Sequence, residues 1–173
     1  MKLQKSLDAF LFCCYAGMRY SDFTNLSKKN IVDINQETWL IYKSVKTGTE
    51  VRLPLYLLFA GKGIVILNKY RNNLEDFFRL RDNSNINKDL IIIAKLAGLS
   101  KKISFHTARH TNATLLIYNG VNITTVQKLL GHKSVKTTQV YTNIMDMTIV
   151  HDLEKMKQAA LGIKKKTDNS FNK

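Results

Sequence analysis

The chain has 173 residues, a length that suits one domain whose core needs neither disulfides nor metals. Its 27 lysines and arginines against 13 aspartates and glutamates give a net charge of +14, which indicates a polyanionic partner, nucleic acid ahead of a membrane surface; a surface that is basic only for solubility is the alternative. The two cysteines are adjacent, no apolar run is long enough to span a membrane and no signal peptide is recognisable, so we expect neither a disulfide-framed, a membrane nor a secreted protein.

The first part of the chain predicts two helices. Apolar residues at helical spacing predict a first amphipathic helix that Gly17 ends, and this stripe consists of Leu3, Leu7, Phe10, Leu11 and Cys14. Arg19 lies in the turn that follows, and Ser21 is expected to cap a short second helix that runs to Leu26.

A small antiparallel sheet is predicted next. Segments 31–34, 39–45 and 51–55 are rich in β-branched and aromatic residues, and the turn-like residues Asn35-Gln36 and 47–49 separate them. Three strands joined by two hairpin turns follow from this pattern.

The remainder predicts helices at 58–70, 88–97, 106–120, 122–130 and 147–160, and one that Ser134 caps and that carries Tyr141. Leu90, Ile91 and Ala94 are expected to face inward, and the pattern in residues 72–87 decides nothing. The basic, polar residues 161–173 predict a disordered tail after a domain at 1–160. The fold class is therefore α+β, mostly helical, with a small three-stranded antiparallel sheet.

Six side chains at turns or helix ends suit metal-free chemistry on a phosphodiester: Arg19, Lys46, His106, Arg109, His132 and Tyr141. Two arginines can hold the non-bridging phosphate oxygens, and the start of the predicted helix at 106 also favours an anion. A lysine on a hairpin turn can protonate the leaving 5′ oxygen. A tyrosine hydroxyl can attack phosphorus and store the bond energy in a covalent ester, so no ATP is needed.

Other interpretations exist for single members of this set. Lys43 lies near enough to compete with Lys46 for the same role. His106 and His110 have the spacing of a zinc helix, but Thr107 stands where such a helix needs a glutamate, and no cysteine or carboxylate cluster completes a site. We therefore expect no metal and no other cofactor, and we expect His110 to be structural, beside His106.

The order of these residues resembles the tyrosine recombinase (phage integrase) family. Residues 17–26, which begin Gly-Met-Arg-Tyr-Ser-Asp and end at Leu26, resemble its first arginine motif. The pattern His106-x-x-Arg109 resembles its second, and residues 130–142 resemble its closing motif. The resemblance runs from residue 1 to about residue 158. The style of the loops is similar to that of mobile-element integrases of the Bacteroides group.

The resemblance implies the catalytic-domain fold of that family and a role for each side chain. Tyr141 would be the nucleophile that forms a 3′-phosphotyrosine, Arg19 and Arg109 would clamp the scissile phosphate, and Lys46 would be the general acid toward the 5′ hydroxyl. The histidines would act beside them. His106 would assist proton transfer, and His132 would hydrogen-bond a phosphate oxygen.

The family also implies partners. These are double-stranded DNA and three further copies, in a homotetramer on two DNA sites where the helix after the tyrosine docks on a neighbouring subunit. Members normally carry a helical core-binding domain before the first segment, so we expect this chain to be a fragment. We also expect the protein to be located in the bacterial cytoplasm. Asn112 stands where an aromatic residue is common, and residues 72–87 lack the usual proline-containing turn. Type IB topoisomerase-like activity and a non-catalytic DNA-binding module are the alternative functions.

Overall fold

The computed structural model describes residues 2–142, together with 153–154 and 156–157. The predicted last helix at 147–160 lies outside the described residues except for those two short helical pairs, and so does the predicted tail at 161–173. Within the described part, the predicted mixture of many helices and one small sheet is confirmed. No helix in this part is long and apolar enough to cross a membrane.

The helices surround a central first helix, which packs against the third, fifth and sixth. The α-helices are α1 (Lys2–Ala16), α2 (Tyr20–Thr24), α3 (Lys62–Lys69), α4 (Leu74–Phe78), α5 (Asn83–Leu96), α6 (Phe105–Tyr118), α7 (Ile123–Leu130) and α8 (Lys136–Gln139). The strands are β1 (Ile31–Ile34), β2 (Glu37–Lys43) and β3 (Glu50–Pro54), and 3-10 turns occupy Lys28–Asn30 and Leu58–Gly61.

Helix α1 is confirmed, but the side that it buries most deeply differs from the predicted stripe. The fully buried apolar residues are Ala9, Phe12, Cys13 and Ala16. Of the predicted stripe only Cys14 is buried, and the others are half-buried. Because neighbouring helices cover α1 on several sides, even the polar Ser6 and Asp8 are buried, and they hydrogen-bond Asp89 and Tyr70 respectively. Helical periodicity of apolar residues identifies one buried face, and it therefore does not identify the most deeply buried side of a helix that neighbours cover on several sides.

The sheet has the predicted antiparallel order β1-β2-β3. Asn35 and Gln36 join the first two strands with φ of 54° and 67°, as a type I′ hairpin turn requires at both central positions. Strand β2 begins at Glu37 and ends at Lys43, so residues 44–49 form the second turn, in which the Gly48 N–H donates to the Ser44 carbonyl at 2.8 Å. Lys46 therefore lies on the turn itself.

Several predicted helix boundaries are wrong for local reasons. Helix α2 begins one residue before Ser21, and Arg19 occupies its N-cap without a side-chain capping bond. The predicted helix at 58–70 is broken because Phe59 and Ala60 adopt left-handed backbone angles before α3 begins. Helix α5 begins at Asn83 rather than at 88, because the Asp82 carboxylate accepts the Asn85 N–H at 3.0 Å and caps it.

Two side-chain predictions in the second half are also wrong. Ile91 is 53% exposed, whereas Leu90 and Ala94 are buried as predicted. Helix α8 ends at Gln139, so Tyr141 lies in the turn after it, with its N–H donating to the Thr138 carbonyl at 3.1 Å. By contrast, α7 is confirmed at both ends. Asn122 caps its start, and Gly131 is its C-cap with φ of 63°.

This glycine provides a test of the fold. A Cβ at Gly131 would lie 2.6 Å from the Val51 side chain in addition to the left-handed strain, whereas a Cβ at Gly98, with φ of 69°, would meet nothing within 4 Å. We expect Gly131→Ala to lower the free energy of unfolding by about 2–4 kcal/mol and Gly98→Ala by about 1 kcal/mol. Urea titration of both variants measures the difference, and equal losses would contradict the close approach of α7 to β3.

Candidate active site

The structure brings together all six side chains that the sequence singled out, although they come from five separate segments. Burial is the main cause that lowers the pKa values of His106 and His132, and the charges of Arg109, Arg19 and Lys46 all lower both further. Arg109 and Arg19 also act on the phenol of Tyr141. These electrostatic effects require that the start of α2, the β2–β3 turn, α6 and the ends of α7 and α8 meet at one site.

Arg109 lies at the centre of this site and is 1% exposed. Its Nη1 donates to the Gly17 carbonyl at 2.7 Å and its Nη2 to the Leu130 carbonyl at 2.6 Å. Burial, followed by the charge of Arg19, lowers the pKa of Arg109 to about 10, so the guanidinium stays charged at neutral pH. The side chain thus joins the α1–α2 corner to the end of α7.

Arg19 is held more loosely. Its Nη1 lies 3.3 Å from the Ser44 hydroxyl and 3.5 Å from Asp22 Oδ2, both long for hydrogen bonds to these groups. Asp22 is buried, and its Oδ1 accepts the Val45 N–H at 2.8 Å. The carboxylate therefore connects α2 to the turn that carries Lys46.

The turn that carries Lys46 is anchored while the Lys46 side chain is exposed. The neighbouring Thr47 hydroxyl donates to the Gly131 carbonyl at 3.0 Å, which fixes the turn against the C-terminus of α7. Lys43 is exposed too, at the end of β2. Lys46, and not Lys43, is among the charges that lower the pKa of His132, which favours Lys46 as the lysine of this site.

His132 follows the α7 cap and is nearly buried. Its Nδ1 lies 2.8 Å from the hydroxyl of Thr138, which is fully buried on α8. Burial, and after it the charges of Arg109, Arg19 and Lys46, lower the pKa of His132 to about 4. The imidazole is therefore neutral at physiological pH, and its Nε2 remains for another partner.

Three rings form a row along α6 and the turn after α8. The rings of His106 and His110 are 4.5 Å apart at 90°, and those of His110 and Tyr141 are 5.3 Å apart at 64°. The predicted position of His110 beside His106 is confirmed, but its contact with Tyr141 was missed. Tyr141 is buried, which raises its pKa, whereas the charges of Arg109 and Arg19 lower it.

Other supporting residues were also missed from the sequence. Asp22 and Thr138 lie inside the two motifs, and Thr47 follows Lys46, so only their proximity to predicted residues could have signalled them. Asn112 donates from its Nδ2 to the carbonyls of Cys14 and Tyr15, at 3.0 and 2.9 Å, and closes the end of α1. An amide can make these two bonds and an aromatic ring cannot, which explains the departure at this position.

Metal chemistry has little support at this site. Among residues 2–142 and the two described pairs beyond them, no group of three or more histidine, cysteine or acidic side chains could hold a metal ion. The His106–His110 pair lies among three cationic side chains, which repel a metal cation.

A sequence profile of the phage integrase family matches residues 4–147. The chain belongs to that family. The tyrosine recombinase XerC of Rickettsia prowazekii is 30% identical to it over 159 residues, which are 87% of this chain and 49% of the relative. The tyrosine recombinase XerA of Saccharolobus solfataricus is 34% identical over 134 residues, 75% of this chain and 42% of the relative. The chain thus spans about half the length of the curated relatives it matches.

Solved structures of recombinases have the same fold. A crystal structure of XerA recombinase matches 88% of this chain and 63% of its own length, with a TM-score of 0.66 and 25% identity. XerH recombinase bound to palindromic difH substrate matches 92% of this chain and 50% of its own length, with a TM-score of 0.62 and 21% identity. The predicted catalytic-domain fold of this family is therefore confirmed.

The lowered pKa of His132 predicts a pH dependence of stability. In the unfolded chain this histidine titrates near its ordinary value of 6.5, and in the folded protein near about 4. Between these values only the unfolded state binds the proton, so the free energy of unfolding falls as the pH falls, by about 3 kcal/mol in total from this residue. Urea titrations at pH 7 and 4.5 should show a smaller loss for His132→Gln than for the unmodified protein. Equal losses, or an NMR titration of the His132 ring near its ordinary value, would contradict its burial beside the arginines.

Proposed function

We propose that this chain is the catalytic part of a site-specific DNA recombinase, an enzyme that cuts and rejoins double-stranded DNA through a covalent 3′-phosphotyrosine. One observation carries the proposal: a buried tyrosine, Tyr141, lies within the field of two arginines that come from distant segments. The names of the relatives support it, since they are tyrosine recombinases and one solved neighbour is bound to its DNA substrate.

In the proposed cleavage, the Tyr141 oxygen attacks the phosphorus and the bond from phosphorus to the 5′ oxygen breaks. Arg109 and Arg19 hold the non-bridging oxygens, where charge develops in the transition state. Because burial raises the pKa of Tyr141, its deprotonation depends on these two charges. In this proposal His106, which contacts the His110 ring beside Tyr141, assists the proton transfer. Arg109 is fixed before DNA binds, whereas the long bonds of Arg19 allow it to reorient toward the phosphate.

The proton that the leaving 5′ oxygen needs comes from Lys46 in this proposal. The exposed ammonium group on an anchored turn can reach a bound DNA strand. His132 is neutral, and when Thr138 donates to its Nδ1 the proton lies on Nε2, which can then donate to a phosphate oxygen. Attack of a free 5′ hydroxyl on the phosphotyrosine reverses these steps and rejoins the strand, so neither a metal nor ATP is required.

Double-stranded DNA is the partner that the charge of +14 supports. We extend the proposal to a homotetramer on two DNA sites, with the segment after Tyr141 docked on a neighbouring subunit. We also propose that residues 1–160 are the catalytic domain of a longer protein that has a core-binding domain. Such an enzyme works on DNA in the bacterial cytoplasm.

Neither alternative function is favoured. Curated relatives of this chain are named recombinases rather than topoisomerases. A module that only binds DNA has no need of a tyrosine kept beside two arginines and a neutral histidine. The first experiment is therefore a search for the covalent adduct.

Tyr141→Phe should abolish that adduct while leaving DNA affinity nearly unchanged, because the variant lacks only the nucleophilic oxygen. The substrates are nicked duplexes of a sequence library, in which loss of the short strand traps the intermediate, and the adduct is measured on a denaturing gel. Tyr56→Phe, which removes a hydroxyl from the aromatic pair of Tyr56 and Trp39 away from the site, is the matched control and should keep the adduct. An adduct with Tyr141→Phe, or none with the unmodified chain, would contradict the proposed function.

The role of Lys46 is tested with a substrate that has sulfur in place of the bridging 5′ oxygen. This leaving group needs no proton, so a missing general acid should matter only on ordinary DNA. We expect Lys46→Ala to cleave ordinary DNA about 100-fold more slowly and the sulfur substrate nearly as fast as the unmodified protein. Lys43→Ala is the matched control and should be close to normal on both. Equal impairment of Lys46→Ala on the two substrates would assign the acid elsewhere, with His106 as the next candidate.

A further inference from the structure

One polar group beside the site has no partner. The hydroxyl of Tyr42, on β2, is buried, and it alone among the buried side-chain polar atoms of the described residues lacks a hydrogen bond. A buried hydroxyl without a partner destabilises a protein, and such groups are rare. A phenylalanine would fill the same space without this loss.

The surroundings of Tyr42 connect it to the catalytic arginines. Burial is the main cause that raises its pKa well above the ordinary value, the charge of Asp22 is the next, and Arg109 and Arg19 oppose them. The phenol is therefore neutral and carries a proton that it can donate. Asp22 is the anion that acts on it most strongly.

Asp22 has one well-bonded oxygen and one poorly bonded oxygen. Oδ1 accepts the Val45 N–H at 2.8 Å, and this bond holds the start of the turn that carries Lys46. Among the described residues, the partners of Oδ2 are Arg19 at 3.5 Å and the Ser44 hydroxyl at 3.4 Å. If Arg19 turns toward a DNA phosphate, this buried carboxylate loses the one cationic partner that Oδ2 has in the described part of the chain.

We propose that Tyr42 is a positioning residue whose hydroxyl donates to Asp22 Oδ2 when Arg19 engages the scissile phosphate. This inference rests on the proposed function. The new hydrogen bond replaces the partner that Asp22 loses and keeps the carboxylate in the orientation that binds the Val45 N–H. Tyr42 thereby holds the turn of Lys46 in place at the moment when the general acid is needed. Its hydroxyl is unpaired in the free protein because Asp22 Oδ2 accepts it only after Arg19 has moved.

The variant Tyr42→Phe removes this one oxygen atom. In the absence of DNA we expect a melting temperature about 2–6 °C higher, because the unpaired hydroxyl is gone. With the nicked duplexes we expect unchanged DNA affinity and about 10-fold slower cleavage, the effect of one lost hydrogen bond to a charged group. Tyr56→Phe, on a half-buried ring outside the site, should change neither the melting temperature nor the rate.

The 5′-sulfur substrate separates positioning of Lys46 from a general structural effect. Since this substrate needs no general acid, the defect of Tyr42→Phe should shrink from about 10-fold to less than about 2-fold. A lower melting temperature would mean that the hydroxyl already has a partner in the free protein, and equal defects on both substrates would mean that it does not act through Lys46. Either result, or normal cleavage by Tyr42→Phe, overturns the inference while the proposed function stands. No adduct with the unmodified chain removes the proposed function, and the inference with it.

Discussion

The arrangement of the site depends on one buried charge. Arg109 is almost fully enclosed, and a buried guanidinium is tolerated only when its donors are satisfied. Two main-chain carbonyls, those of Gly17 and Leu130, meet that requirement at 2.7 and 2.6 Å. Because these carbonyls end the first and seventh helices, the same bonds set the corner that carries Arg19 at a fixed distance from the loop that carries His132. A change that displaces either helix end deprives the buried cation of one of these two partners, so the fold and the site are stabilised together.

Around this fixed centre the other groups differ in how firmly they are held. The Gly131 carbonyl, next to the one that Arg109 binds, accepts the Thr47 hydroxyl at 3.0 Å, and the lack of a Cβ at Gly131 allows β3 to approach. The end of α7 therefore locates both the Lys46 turn and His132. Arg19, with long hydrogen bonds, and Lys46, with an exposed side chain, keep freedom to move. A rigid centre with adjustable edges suits the proposed DNA substrate, a long polymer that must enter and leave. Donors fixed in advance stabilise charge with little reorganisation.

Local patterns predicted the parts of the fold that local interactions decide. The sheet follows from alternating β-branched residues and two turns with positive φ, and α7 follows from a capping asparagine and a terminal glycine. Some helix boundaries were wrong for local reasons, and the errors in burial lie where distant parts of the chain compete with local preference. The side of α1 that is most deeply buried depends on helices packed around it, and the exposure of Ile91 depends on where α5 meets its neighbours. Tyr141 lies beyond α8 because that helix ends at Gln139, and its N-cap is Val135 rather than the predicted Ser134.

By itself the sequence determined the residue types, their order and the family, because these are properties of motifs that a linear pattern carries. It also predicted a polyanionic partner, since net charge needs no structure. Only the tertiary structure decided which of these groups are buried, which are paired and which are loose. The bond from Thr47 to Gly131 spans 84 residues and that from Asn112 to Cys14 spans 98, and no local periodicity encodes contacts at such separations. The lowered pKa values of His132 and Arg109 and the unpaired hydroxyl of Tyr42 have the same origin, because desolvation is a property of the packed core and not of the chain.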